Sequence, residues 1–358
     1  MIFASQAEDP FTREVKDRVA GYFAENNLST KANAGVVVKT VVLLLVTFGS
    51  YGLILSGQFL PLVMLFLAMV VGVGIAGIGF GICHDALHDA YSSKPWVNRG
   101  LGWIFDLCGA SGYLWKITHN IIHHTYTNIH GVDEDLEIST FVRASPQGEW
   151  RPYHRYQHWY AFALYGLSTL NWVFMKDYKH LLRRDLGPFR NCAHPPSAVA
   201  WLIGSKLIYY GWAIVVPILV LDLAWWQFAI GFLAMNLTAG FILGIVFQLA
   251  HIVEGPEHPI ADADGRIDRA WSLHEMATTS NFACGNRLLT WYVGGLNYQV
   301  EHHLFSKICS VHYPALRPIV QEVARKHHVP YHESSTLFAA VRSHHLMLKR
   351  LGRSAVVT

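Results

Sequence analysis

The sequence predicts an all-α integral membrane protein: four transmembrane helices in two hairpins, with a cytosolic helical cap. Two observations predict the membrane part, and a third predicts what the cap carries. Thr40 to Cys83 is a run of 44 residues without Asp, Glu, Lys or Arg. Leu207 to Ala250 is a second run of 44, interrupted only by Asp222. One bilayer span takes roughly 20 residues, so each run reads as two spans and a tight turn. The third observation is that the 21 histidines cluster just beyond those runs.

Composition supports the reading. Of 358 residues, 52% are hydrophobic and 15% charged, against about 25% charged in a typical soluble domain. The net charge of +3 gives no reason to expect nucleic acid. Residues 1–35 form a polar, partly helical cytosolic lead without room for a folded domain. Hairpin 1 covers 36–83 and turns at Ser56-Gly57-Gln58, with Pro61 just beyond. Residues 84–198 form a cytosolic section rich in His, Trp and Tyr. Hairpin 2 covers 199–250, turning near Asp222 with Trp225 and Trp226 at interface depth. Residues 251–358 form a second cytosolic section. Lys and Arg crowd the lead, the 85–198 connection and the last third, while the two turns carry none. The positive-inside rule then puts both termini and the connection in the cytosol. No signal peptide is evident, because the first apolar run starts behind a charged segment.

Trp159 to Met175 is a shorter uncharged run between Arg155 and Lys176. Ser168, Thr169 and Asn171 lie within it, and Trp and Tyr crowd its ends. It reads as a helix lying in the interface. A fifth span would put the histidine clusters on opposite sides of the membrane.

Those clusters are HDALH (His84, His88), HNIIHH (His119, His123, His124) and QVEHH (Gln299, His302, His303). Spacings of three and four residues bring side chains to one helix face. One H-x-x-x-H pair is weak, since a surface pair gives the same pattern. Three clusters assigned to one side of the membrane point to a shared metal site. Imidazole suits Zn, Cu, Fe and Ni. A structural zinc takes four ligands, commonly with Cys. Seven clustered histidines exceed that and suggest two metals, so the cap is expected to carry a histidine-ligated dimetal centre. The five cysteines include no Cys-x-x-Cys pair. They read as free thiols and exclude a fused rubredoxin-like or zinc-ribbon module.

The clusters resemble the three histidine boxes of membrane fatty acid desaturases. HDALHDAYSSKPWVNRGLG, WKITHNIIHHTYTNIHGVDEDLE and TTSNFACGNRLLTWYVGGLNYQVEHHLF are similar to the front-end, linoleoyl-CoA-desaturase-like branch, for which Gln299 opening the third box is a mark. The resemblance runs from about residue 36 to 340. It implies O2-dependent insertion of a cis double bond into an acyl chain at a pair of irons. The metal ligands it implies are His84, His88, His119, His123, His124, His302 and His303, with Gln299 as a possible eighth. His251 is added by position: His84 ends the first apolar run and His251 ends the second, and related desaturases have a ligating His there.

Asp85 and Asp89 are candidates to orient these ligands. The GVDEDLE run reads as a loop with surface charge. His130, His258, His274 and His312 read as surface or substrate-side residues. Tyr113, Trp115 and Trp291 are candidates to line an acyl tunnel, with core or interface packing the plain alternative for each. Two departures from the family stand out. The lead cannot encode the fused cytochrome b5 of many front-end members, and no HPGG haem motif occurs; Ser306 stands where Pro usually follows HHLF. A separate ferredoxin or cytochrome b5 is therefore expected to supply electrons, with the C-terminal Lys and Arg residues suited to an acidic donor. A bacterial inner membrane is the expected location, with the active site cytosolic. The acyl carrier stays open among CoA, lipid and carrier protein. So does the outcome: hydroxylation or acetylenic bond formation use the same ligands. A histidine-rich metal transporter or a non-catalytic lipid-binding protein is the reading from another class, but a transporter path needs ionisable residues inside the spans, and these spans are nearly free of charge.

Overall fold

The computed structural model describes residues 2–3, 9–136, 139–262 and 264–353, and these are mostly helical. Among the described residues, four helices are long and apolar enough to cross a membrane: α2 (Ala34–Leu55), α3 (Pro61–Leu87), α7 (Pro196–Val220) and α8 (Trp225–His251). Proline opens α3 and α7, where its missing N–H costs nothing. The Asn33 side chain caps α2 by accepting from Val36 N.

The polar segments fold into shorter elements. Before the first long helix lies α1 (Pro10–Glu25). Between α3 and α7 come α4 (Pro95–Leu107), α5 (residues 112–126) and α6 (residues 157–182). The last section holds α9 (Trp271–Thr278), α10 (Arg287–Tyr292), α11 (Gln299–Leu304), α12 (Tyr313–Lys326) and α13 (Leu337–Arg353). Two short parallel pairs join distant segments: β1 (Ile2–Phe3) with β2 (Arg266–Ile267), and β3 (Ser280–Phe282) with β4 (His332–Ser334).

The long helices do not all pair with their sequence neighbours. α2 and α3 pack along each other, joined through residues 56–60. α8, however, lies mainly along α3, while α7 packs on α4 and meets α8 near their connection and again where the Tyr209 hydroxyl donates to Asn236 Oδ1 at 3.2 Å. Small residues permit the α3–α8 approach. A Cβ at Gly72 would stand 2.3 Å from the Met235 carbonyl oxygen, and one at Gly240 would stand 2.3 Å from that of Gly166 on α6. Helices in lipid gain little from apolar burial against each other, so close backbone packing has to hold them.

One long helix runs on past the boundary expected from charge. α3 continues through His84 to Leu87, and its Gly79–Cys83 stretch widens into a π-turn just before the first box. α5 widens likewise over Lys116–His123, the stretch containing the second. Such turns re-aim side chains and recur at functional sites. α6 breaks at Leu167 and is not one of the four long apolar helices.

A buried ion pair ties α6 to α7. Lys206 Nζ lies 2.7 Å from Asp177 Oδ2, and both residues are almost wholly buried. The same ammonium donates to the carbonyls of Gly109 and Trp172. Breaking a buried pair leaves one charge stranded, at a cost of about 3–5 kcal/mol, whereas replacing both partners by apolar groups is often neutral. Lys206→Met alone and Asp177→Asn alone are therefore expected to lower the unfolding midpoint in detergent, and the double variant Lys206→Met/Asp177→Leu to recover most of the loss. Equal losses in the single and double variants would place the stabilisation in the carbonyl contacts instead.

Candidate metal centre

Helix ends build this site. His84 and His88 stand at the end of α3, His251 is the last residue of α8, and α5 and α11 bring the other boxes. Their ring nitrogens fall into compact groups within which the available atoms lie less than 4.8 Å apart. One group is His84, His88, His119 and His302. A second is His123, His251 and His303. His124 joins His302 and His303 in a third, so it stands between the other two.

The orientation is consistent. The Nδ1–H of His119 donates to Asp135 at 3.0 Å, that of His123 to Asp133 at 2.9 Å, and that of His303 to Glu275 at 2.6 Å. His302 Nδ1 meets the Tyr313 hydroxyl at 3.2 Å. The opposite nitrogen of each ring, Nε2, is buried without a hydrogen-bond partner, as are His84 Nδ1, His88 Nε2, His251 Nε2 and both nitrogens of His124. An unsatisfied buried polar atom costs about 1–3 kcal/mol. So many converging on one place is a strained arrangement for a protein alone and a fitting one for metal ions. A metal needs the neutral imidazole. Burial holds His124, His302 and His303 well below the ordinary imidazole range. Burial also pulls His123 down, but the Asp133 carboxylate outweighs it and the net shift is upward.

The acidic residues differ from the sequence reading. Asp133 of the GVDEDLE run is buried and Asp135 half-buried, each against an imidazole and not displayed as surface charge, because each accepts a ring N–H. Lys176 holds the other oxygen of Asp135 at 3.0 Å. Asp85 accepts from Ser310 and Cys309, so it ties the first box to the loop behind the third rather than to an imidazole. Asp89 is exposed, with left-handed backbone (φ 57°). Glu275, on α9, lies in no motif and escaped the sequence reading, as did Tyr313. α9 is fastened to the second box as well: Trp271 Nε1 donates to the His124 carbonyl, and Thr127 Oγ1 donates to Glu275.

A cavity of about 670 Å³ opens beside the first group, within the usual ligand-pocket range of about 300–1,000 Å³. His84, His119, His302 and Gln299 form part of its wall. Phe80, Phe105, Trp172 and Leu243 give it apolar lining, and Lys176, Lys179, Arg183 and Glu134 give it a polar side. Trp115 lines it too, stacked on His119 at 4.3 Å. Tyr113 and Trp291 do not: Tyr113 bonds His194, and Trp291 faces outward, 43% exposed. Gln299 donates its amide N–H to the Leu296 carbonyl. His274 is fully buried but belongs to none of the three nitrogen groups; it packs edge-on against Phe3. His258 lines a different cavity, and His312 bonds the Lys31 carbonyl.

The fatty acid desaturase family model matches residues 59–335. The sn-1 linoleoyl-lipid 6-desaturase of Synechocystis sp. is 35% identical over 346 residues, covering 96% of both chains. The sn-1 linoleoyl-lipid 6-desaturase of Arthrospira platensis is 35% identical over 342 residues, 95% of this chain and 92% of its own. The acyl-lipid (8-3)-desaturase of Physcomitrium patens is 32% identical over 358 residues, 98% of this chain and 73% of its own.

If the grouped nitrogens hold metal, His251→Ala is expected to lower metal content as severely as His302→Ala, measured by elemental analysis of folded protein. His274→Ala, equally buried, is expected to leave it unchanged. Full metal content in folded His251→Ala protein would mean that the three boxes suffice.

Proposed function

The chain belongs to the fatty acid desaturase family, and we propose that it inserts a cis double bond into the acyl chain of a membrane lipid. The observation that carries this reading is the set of partnerless imidazole nitrogens on the wall of a cavity with an apolar lining and a charged side. The enzyme is an oxidoreductase; the reading adds two irons, O2 as co-substrate and an acyl-lipid substrate. The curated relatives above act, by name, on acyl groups carried by lipid, which favours lipid over CoA here.

His84, His88, His119 and His302 would hold one iron, His123, His251 and His303 the other, and His124 stands between them. Gln299 would act through its side-chain oxygen, as a ligand or on a bound water. When bound, such a pair would supply O2 activation and the removal of one hydrogen from each of two adjacent unactivated methylenes, with two electrons from the donor and O2 ending as water. The protein's own contribution is placement and dryness. Phe80, Phe105 and Leu243 exclude water from the acyl chain. Trp115, stacked on His119, fixes how close a methylene comes to the nitrogens. The carboxylates behind His119, His123 and His303 hold those rings in one tautomer, which saves reorganisation during turnover.

The reading carries a topology. The four apolar helices span the membrane as hairpins 36–83 and 199–250. The lead 1–35 and sections 84–198 and 251–358 lie in the cytosol and form the cap, with α6 in the interface. The membrane is a bacterial inner membrane. Electrons come from a separate ferredoxin or cytochrome b5, since the sequence has neither a Cys-x-x-Cys pair nor an HPGG motif.

Expression in a host lacking the double bond, followed by mass spectrometry of its lipids, is expected to reveal a new cis double bond that disappears in His302→Ala cells. A hydroxylated or acetylenic product would overturn the desaturase outcome. Purified protein is expected to turn over only with an added donor, and turnover with NAD(P)H and O2 alone would refute the donor requirement.

A further inference from the structure

The two metal positions just described are not equivalent in their surroundings. In the His84, His88, His119 and His302 group, one imidazole is backed by a carboxylate, and that carboxylate is shared. Asp135 gives one oxygen to His119 and the other to Lys176. His302 is backed by the Tyr313 phenol. In the His123, His251 and His303 group, two of three imidazoles donate to carboxylates, Asp133 and Glu275. Among the described residues, no lysine or arginine bonds to either acid. One oxygen of Glu275 has no partner at all, although the residue is fully buried.

Access differs in the same sense. His84, His119 and His302 line the cavity, whereas His123, His251 and His303 do not. Exposure is 8%, 6%, 6% and 1% for His84, His88, His119 and His302, against 0%, 0% and 1% for His123, His251 and His303.

An acceptor on the far nitrogen makes an imidazole a stronger donor to metal, and a carboxylate does so more than a phenol. A carboxylate already shared with an ammonium does so less. A buried acid without a cation also gains directly from a nearby dication. From this difference we propose that Glu275 and Asp133 make the deep position, bounded by His123, His251 and His303, the retentive one. The cavity-side position gives up its metal first. Glu275 is thus a positioning residue for His303, supplied by a helix outside the three boxes. The proposal rests on the two-metal reading above.

The test is release of iron from full-length, iron-loaded protein into a ferrous chelator, followed with 57Fe Mössbauer spectra. Wild type is expected to release its metal in two phases of one equivalent each, with one spectral component outlasting the other. Glu275→Gln keeps shape and removes charge. It should speed the slow phase about 10- to 100-fold and shift only the component that persists. Tyr313→Phe should act on the fast phase alone. Should Glu275→Gln protein fail to fold, Asp133→Asn carries the same expectation. Two irons leaving in a single phase would overturn the proposal while leaving the two-metal reading intact. So would an effect of Glu275→Gln on the fast phase alone. Wild type that binds only one iron would refute the two-metal reading and this proposal with it.

Discussion

The centre rests on one electrostatic constraint: many neutral imidazole nitrogens are buried together with nothing from the protein to bond. Each costs free energy in the empty state, so the fold has to force them together. It does so with the ends of two long apolar helices, α3 and α8, which the close approach of Gly72 and Gly240 to neighbouring carbonyls holds in place. The π-turns just before His84 and over Lys116–His123 lie where the first two boxes enter the site, as such turns often do at functional sites. What packing imposes, bound metal would repay, which couples metal content to stability in this architecture.

The second layer fixes orientation. Asp133, Asp135, Glu275 and Tyr313 each take the far nitrogen of one ring. They come from the 131–136 loop, α9 and α12, so segments remote in sequence are tied to the centre. Asp85 serves in another way, clamping the first box to the loop after the third. The cavity adds a third requirement. It passes the first group of imidazoles while keeping an apolar lining on one side and charge on another, as an acyl chain with a polar head would need.

Much of this was legible in the sequence because its signals are local. Runs of 44 residues with at most one charge mark the long helices, and spacings of three and four mark shared helix faces. Even His251, outside any box, followed from counting residues to the end of the second run. The acids were not legible. Whether Asp133 is solvated or buried depends on an imidazole ten residues away, across a turn whose geometry no periodicity encodes. Glu275 sits in a short helix with no repeated pattern, and its partner His303 is 28 residues on. Helix pairing was also hidden. Equal runs do not say which long helices pack most closely: α8 lies more extensively along α3 than along α7, with Gly72 where α3 and α8 meet.

The central claim is that nitrogens from three boxes and one helix end surround two metals. Anomalous diffraction at the iron edge from crystals of iron-loaded protein tests it most directly. Two peaks are expected, one within bonding distance of His84, His88, His119 and His302, the other of His123, His251 and His303. A single peak, or a metal held by Asp133, Asp135 or Glu275 in place of these imidazoles, would contradict it.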